Sequence, residues 1–497
     1  MFNAFNYPKR AMASITELIK IIEREKLNVD TDLVRLAYEF AKKAHEGQKR
    51  KSGEPYISHS LGTAMTLARY HLDQDTIIAG LLHDVPEDTD YSLDDVKREF
   101  GDDVAHLVEG ITKLGKLKYR GIERYIENLR KMFIAMASDI RVIFIKFADR
   151  LYNLRTLYAL PPKKQERIAR ETLEIYAPIA NRLGIWQMKG QLEDLSFKYL
   201  YPKEFSSLRE ELDKYYSERE ELLKHARRRI YAELKKVHLD VMEISGRTKD
   251  IWSLYKKLQT HNNDLKSIHD IVALRVVVPT IADCYQALGV IHSRWRPMPN
   301  RFKDYIAQPK PNGYQSLHTT IFTDDGKAIE IQIRTADMHK TAEYGIAAHW
   351  HYDERGSIML DKKFEWMQEL SKMQQELISD KTYLDSIKID VFQDRIFVFT
   401  PKGDVIDLPE NATPVDFAYH IHTDIGNTAT AARVNNQLAS LDTELQSGDM
   451  VEIITDKKRK GPNRDWLKFV KTTAAREKIK NAAPKGIFSS IPGLRRF

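Results

Sequence analysis

A single cysteine, Cys284, in 497 residues leaves no intrachain disulfide and no multi-cysteine zinc site to build on. Long apolar runs are lacking as well, since no window approaches the ~18 uncharged apolar residues of a membrane-spanning helix. The first residues, MFNAFNYPKRAMAS, contain no apolar core of the ~7–15 residues that a secretory signal needs, so a reducing, cytoplasmic compartment is expected. Wholesale disorder is excluded by composition, because 42% hydrophobic against 30% charged residues is a globular balance. What remains is length enough for roughly three domains of ~100–200 residues.

Excess positive charge is missing from most of the chain. The net charge is +7, yet residues 456–497 hold 13 Lys+Arg against 3 Asp+Glu, a net +10 that leaves the rest at −3. A segment such as KKRKGPNRDWLKFVK either lies against nucleic acid phosphates or forms a solvated helix face.

Up to about residue 200 apolar residues recur every three or four positions without an alternating run, which predicts an all-α domain over 1–200. Over 205–237 the stripe Leu208, Leu212, Tyr215, Leu222, Ala226, Ile230 and Leu234 predicts a connecting helix packed on one side. After Arg247 the period changes. IVALRVVV (271–278) and AIEIQIRT (328–335) read as strands among helices and proline-stiffened loops, an α+β domain that spans 201–355 with the connecting helix. A helical linker is expected over 356–388. RIFVFTPKGDVIDLP then reads as a hairpin, and ARVNNQLASL and DMVEIIT as further strands, in a small β-rich module over 389–455 that precedes a basic helical tail, 456–497.

Histidines and acids stand at informative places in the helical part. His59 lies in GEPYISHS, His83 and Asp84 in LLHDVPEDTD, and Asp149 in FADRLYNLRT. On one helix His83 and Glu87, and Asp84 and Asp88, project as adjacent rows from one face. His59, His83, Asp84 and Asp149 form a nitrogen and oxygen set suited to a divalent ion such as Mn²⁺. Glu87 and Asp88 are left to handle the protons of a water that the ion acidifies. The alternative is a capped helix start with a satisfied core histidine. The order H…HD…D resembles the HD superfamily of metal-dependent phosphohydrolases.

In AIEIQIRT the residues Glu330, Gln332 and Arg334 share one strand face. That row either faces a cleft, where it binds an anion and keeps a base, or is an ordinary solvent-facing row. Arg301, Lys303 and Lys310 surround Asp304 upstream, and Asn312-Gly313 makes a turn that presents Tyr314 for stacking, with His318 following. GRTKDIWSLYKKLQ adds Arg247, Lys249, Lys256 and Lys257, and Asp270 could hold Mg²⁺ against phosphates.

HDVPED, GRTKDIWSLYKK, RFKDYIAQPKPNGYQSLHTT and IEIQIRT together closely resemble the RelA/SpoT homologues, synthetases and hydrolases of the alarmone (p)ppGpp, over nearly all of 40–481. The resemblance implies a multidomain chain: an all-α HD-type hydrolase domain, an α+β nucleotidyltransferase-like synthetase domain and a small β-grasp-like TGS domain, in a stringent-response enzyme. It implies Mn²⁺ on His59, His83, Asp84 and Asp149, water activation by Glu87 and Asp88, and a guanosine nucleotide held by Arg50, Lys51, Ser52, Asn153 and Thr156. Hydrolysis of (p)ppGpp would release pyrophosphate from the ribose 3′ position. For synthesis it implies Asp270 as Mg²⁺ ligand and Glu330 as the base that activates the 3′-hydroxyl of GTP or GDP, which attacks the β-phosphate of ATP and expels AMP. Arg247 and Arg275 would sandwich adenine, Lys249 and Lys257 would contact ATP phosphates, and Tyr314 would stack on guanine near Arg301, Lys303, Lys310, Gln332 and His318. Asp270 and Arg275 are five apart, on opposite faces of an ideal strand, so a bulge or strand-end twist is needed to bring both to ATP.

RFKD is the basic variant that the family associates with both activities. Three residues depart from the family pattern: Pro86 inside HDxxED, Tyr152 in place of a common His, and Asp250 in place of the His after the GRxK lysine. Pro86 inside a helix would cost ~3 kcal/mol unless the helix starts or kinks there. Synthesis alone, with hydrolysis impaired by Pro86, is therefore one alternative, and a non-catalytic ribosome- or tRNA-binding nucleotide sensor is another. Long family members continue with further domains, whereas this chain stops 42 residues after 455. A fragment and a naturally short protein look the same here; if nothing follows, weaker ribosome sensing is expected, although His420 or His422 could meet a tRNA 3′ end. Opposed activities on one chain also predict mutual exclusion through the connecting helices. Acceptor preference and oligomeric state are left open.

Overall fold

A computed structural model describes residues 14–115, 131–345 and 395–482, apart from 133, 137, 261–262, 266–267, 269, 311–312, 447, 457 and 460. The expected linker over 356–388 and Asn312 lie outside the described residues. The chain divides into two compact units, Met1–Glu376 and Leu377–Phe497.

The helical part of the first unit contains α1 (Ile15–Arg24), α2 (Thr31–Ala44), α3 (Ile57–Arg69), α4 (Gln74–Leu82), α5 (Val85–Asp88), α6 (Leu93–Gly115), α7 (Arg141–Arg155), α8 (Pro162–Glu171), α9 (Ala177–Arg182), α10 (Trp186–Leu200) and α11 (Pro202–Lys236). Several start on side chains that accept otherwise unpaired N–H groups: Asp30 from Asp32 and Leu33 for α2, and Asp73 from Thr76 for α4. α3 is the central helix, with Leu61, Ala64, Leu67 and the polar His59 and Ser60 all buried. Gly62 lets α7 cross it closely, since a Cβ there would lie 2.3 Å from the ring of Tyr152. Tyr152 thus has a packing role, wedged on Gly62 and edge-on to His59 at 5.1 Å.

The expectation of one helix through HDVPED is corrected. α4 ends at Leu82, Asp84 takes φ −96°, ψ −8°, and Val85 begins a new turn with Pro86 in its first positions. Proline is tolerated there because the first N–H groups of a helix have no intrahelical partner. In α11 Tyr216, not Tyr215, joins the buried stripe; Tyr215 is partly buried beneath Arg219, 4.3 Å from its ring.

The α+β part runs β1 (Glu243–Thr248), α12 (Ile251–Thr260), β2 (Val272–Val278), α13 (Ile281–Arg294), β3 (Lys303–Asp304), β4 (Leu317–Phe322), β5 (Ala328–Thr335) and α14 (Ala336–Tyr344). The five-stranded order is β1-β2-β5-β4-β3, with β2 and β5 parallel and the other neighbours antiparallel. One face, including Leu274, Val276, Ile331 and Ile333, joins Leu212, Ile230 and Leu234 of α11 in a single core. The register brings Arg275, Gln332, His318 and Lys303 into one cross-strand row, and Arg247, Ala273, Glu330 and Thr320 into the next row of the same face. That face is not open to solvent: Gln332 and Arg334 are buried. Asp270 precedes β2, so strand parity does not set its direction relative to Arg275.

The second unit pairs β6 (Arg395–Phe399) with β7 (Val405–Pro409), and a second sheet has β8 (Ala429–Val434) between β9 (Gln437–Ala439) and β10 (Val451–Thr455). α15 (Pro414–Ile421) and α16 (Thr423–Thr428) lie between the sheets in sequence, and α17 (Thr473–Ala482) ends the described chain. Part of the basic tail belongs to this core. Trp466, Val470, Ala475 and Ile479 are buried with Val415 and Tyr419, and Asp416 accepts from the Thr472 backbone N–H at 2.7 Å. Neither a tail laid wholly on phosphates nor a wholly solvated face describes 456–482. Among the described residues no helix is long and apolar enough to cross a membrane.

Candidate active sites

The first centre forms where the start of α3, the end of α4 and the middle of α7 meet. His59, His83 and Asp149 are buried and offer ligand atoms within 4.8 Å of one another. The two Nε2 atoms are 3.2 Å apart; Asp84 Oδ2 lies 3.2 Å from His59 Nε2 and 3.3 Å from His83 Nε2, and Asp149 Oδ1 lies 3.4 Å from His59 Nε2. When His83 Nδ1–H donates to Gly80 O at 2.9 Å, its Nε2 lone pair is aimed into the cluster. Burial lowers the His59 pKa, which favours the neutral, ligating form. Burial opposes charge on Asp149, but Lys146 and the two histidines hold its carboxyl below the usual range. Converging acceptor atoms of this kind fit a divalent cation.

Around it, the Tyr56 hydroxyl lies 2.9 Å from Asp84 Oδ2 and 2.5 Å from Asp88 Oδ2, so Asp88 is tied to the cluster while Glu87 lies exposed beside it. Arg50 donates to Asn153 Oδ1 and Asn153 Nδ2 donates to Asp149 Oδ1, each at 2.5 Å. Ser52 is half-buried, Lys51 is exposed on the same loop, and Thr156 caps the end of α7 through the Tyr152 carbonyl at 3.2 Å. Two members were missed in the sequence. Lys146, 2.8 Å from Asp149 Oδ2, had the signal of i,i+3 spacing in IKFADR, and Tyr56 had none beyond its place beside His59.

The second centre lies on the polar sheet face. Asp270 Oδ2 is 2.6 Å from both Lys249 and Lys257, and its buried Oδ1 has no hydrogen-bond partner among the described residues. Burial opposes its charge, but the two lysines bring the carboxyl down to about 2. Glu330 Oε1 accepts from Gln332 Nε2 at 2.8 Å and lies 3.1 Å from His318 Nδ1, while the Tyr314 hydroxyl is 2.8 Å from His318 Nε2. Against the burial that opposes it, His318 holds Glu330 below the usual range. A cavity of about 660 Å³ adjoins this face, lined by Arg247, Arg275, Lys310, Tyr314 and His318 together with α10. Arg301 and Lys303 are exposed and do not line it. Tyr314 is not the open platform expected for stacking. It is 7% exposed, 6.0 Å edge-on from Trp186 and 5.5 Å from the Lys310 ammonium. Asp304 works in the loop itself, accepting from Ile306 and Ala307 N–H at 3.0 and 2.8 Å.

Glu343 of α14 was also missed. Its Oε1 lies 3.0 Å from Arg275 and 3.1 Å from the buried Arg334, nine residues away across a strand-to-helix turn that no local pattern marks. The adjacent Tyr344 packs its ring 4.5 Å from His71, just beyond the C-terminus of α3. One helix therefore carries His59 near its start and touches the second centre's α14 past its end.

Comparison with known proteins matches residues 37–186 to the HD domain, 246–357 to the region found in RelA / SpoT proteins, and 396–455 to the TGS domain. A GTP pyrophosphokinase of Myxococcus xanthus is 49% identical over 457 residues, covering 91% of this chain and 60% of that protein. A guanosine-3′,5′-bis(diphosphate) 3′-pyrophosphohydrolase of Aquifex aeolicus is 47% identical over 453 residues, 91% of this chain and 64% of its own length. The bifunctional (p)ppGpp synthase/hydrolase SpoT of Escherichia coli is 48% identical over 451 residues, 90% of this chain and 64% of its own. The chain thus spans less than two thirds of these relatives.

Proposed function

The chain belongs to the RelA/SpoT family, and we propose on that footing that it is bifunctional, making (p)ppGpp at the sheet and hydrolysing it at the His-His-Asp cluster. The observation that carries this reading is the coexistence in one unit of two complete but dissimilar centres, a converging His59, His83, Asp149 set and an ionised Glu330 beside a lysine-held Asp270.

In synthesis Glu330 accepts the proton of the GDP or GTP 3′-hydroxyl. The freed oxygen attacks the β-phosphorus of ATP, and the bond to the α-phosphate oxygen breaks to release AMP. In-line transfer depends on positioning and charge neutralisation: Lys249 and Lys257 meet the ATP phosphates, while Arg247 and Arg275 hold the adenine between them. Asp270, with its unpartnered Oδ1, would hold Mg²⁺. In hydrolysis His59, His83, Asp84 and Asp149 would hold Mn²⁺, which when bound neutralises phosphate charge and acidifies water. Asp88, tied through Tyr56 to the cluster, and the exposed Glu87 receive the proton of the attacking water, while Arg50, Lys51, Ser52, Asn153 and Thr156 hold the guanosine. Pyrophosphate leaves from the 3′ position. Pro86 in the first turn of α5 supports an intact hydrolase over synthesis alone.

The enzyme would work in the cytoplasm, with the second unit meeting tRNA through His422, whose side chain is 65% exposed. Purified protein given ATP and GDP in Mg²⁺, then Mn²⁺, tests the proposal. Product should accumulate and then decay to GDP and pyrophosphate; accumulation without decay, or neither, contradicts it.

A further inference from the structure

The cavity beside the sheet has an acidic wall that the reaction just described leaves unused. At about 660 Å³ it is in the size range of small-molecule sites. The sheet contributes two fixed guanidinium groups: Arg247 donates to Gln332 Oε1 at 3.3 Å, and Arg275 lies 3.0 Å from Glu343. Planar, weakly hydrated cations stack on nucleobases, and stacking alone is tolerant of which base is present. Discrimination has to come from whatever meets the edge of the ring.

That edge is supplied from α10 and the turn before α12. Asp194 and Asp250 both line the cavity. Asp250 lies flat against Gly190, where an added Cβ would meet its Oδ1 at 2.5 Å, so a glycine at 190 is what leaves room for the carboxyl at the wall. Asp194 is 8% exposed, and its oxygens accept from the backbone N–H groups of Ile251 at 3.2 Å and Trp252 at 2.9 Å. Those bonds fix the turn that bears Asp250. Burial pushes both carboxyls above the usual aspartate range, and Asp250 adds to the push on Asp194. A carboxylate oxygen accepts hydrogen bonds, so a base amino group satisfies it and a ring carbonyl facing it does not.

We propose that Asp250, positioned by Asp194, determines donor specificity in this cavity by accepting a hydrogen bond from the 6-amino group of the adenine ring. Guanidinium stacking holds the ring, and the carboxyl reads its edge. A purine without the amino group covers the Asp250 acceptor without pairing it and is a poor donor. This rests on the synthetase reading given above, with ATP as donor.

The test is pyrophosphate transfer to GDP from ATP or from purine riboside triphosphate, which lacks the 6-amino group, by the wild type, Asp250→Ala and Asp250→Asn. The wild type should favour ATP in kcat/KM by about 10- to 100-fold. Asp250→Ala should bring the two donors to parity by lowering the value for ATP alone, and Asp250→Asn, which keeps an acceptor oxygen, should recover part of the preference. KM for GDP should not change. An unaltered donor ratio in Asp250→Ala, an equal loss with both donors, or a raised KM for GDP overturns the proposal. Wild-type protein that transfers from neither donor contradicts the synthetase reading instead. Calorimetric binding of the two triphosphates to the three proteins then decides the proposal by the same ratio of affinities.

Discussion

The two centres of the first unit treat their carboxylates in opposite ways. At the helical centre Asp84 and Asp149 converge with two imidazole nitrogens; the Lys146 cation takes the far oxygen of Asp149, and only the neutral Tyr56 hydroxyl and Asn153 amide reach Asp84 Oδ2 and Asp149 Oδ1, the oxygens that face the histidines. At the sheet centre each acid is already supplied with donors: Asp270 with two lysines, Glu330 with His318 and Gln332. A cluster of the first kind fits a divalent cation, whereas one of the second kind already has its carboxylates paired with donors. Under the proposed function, that difference would place the two opposed phosphate reactions in centres of different electrostatic design.

Breaking the sheet centre should give the largest effect among the residues outside the metal set. Glu330→Gln should lower synthesis by about 10²- to 10⁴-fold in a rate assay, with nucleotide binding by calorimetry retained. Loss of binding together with rate would make Glu330 a binding residue, not the base. Next, Lys146→Met removes the cation behind Asp149 without touching the inner lone pairs. Metal affinity of the helical centre should fall by about 10- to 100-fold while synthesis persists. A smaller effect separates the centres by pH. Burial lowers the His318 pKa from 6.5, so below that pH the unfolded chain binds a proton that the folded one excludes. Stability is lost as pH falls from 6.5 toward the depressed folded value, then lost no further by this group. Melting curves from pH 7.5 to 5.5 should therefore drop more steeply for the wild type than for His318→Gln, and parallel curves would refute the assignment. Least of all, Pro86→Ala should cost only about 0.4–1 kcal/mol by denaturant titration and leave hydrolysis unchanged. A gain in hydrolysis would mean that Pro86 distorts Glu87 and Asp88 after all.

Much of this was legible in the chain. Periodicity separated the helical part from the sheet, and β2 and β5 emerged from runs of alternating or continuous Ile and Val. β1 was not visible, because GRT at its end reads as a loop and its burial comes from pairing with β2. The acids and histidines that converge at the helical centre were picked out because their residue types and spacing are chemical signatures. Glu343, Trp186 and Asp194 were not, since each acts across a gap that only the packed helices close. The single helix expected through HDVPED failed for a related reason. A helix was carried through Asp84, whereas the backbone resets there and the proline opens a new turn.

Isothermal titration of Mn²⁺ into chelator-treated, nucleotide-free protein tests the contrast between the centres most directly. The wild type and Asp270→Asn should each bind a single tight equivalent per chain, and His83→Ala should bind none. Tight binding that survives in His83→Ala, or that disappears in Asp270→Asn, would contradict the account.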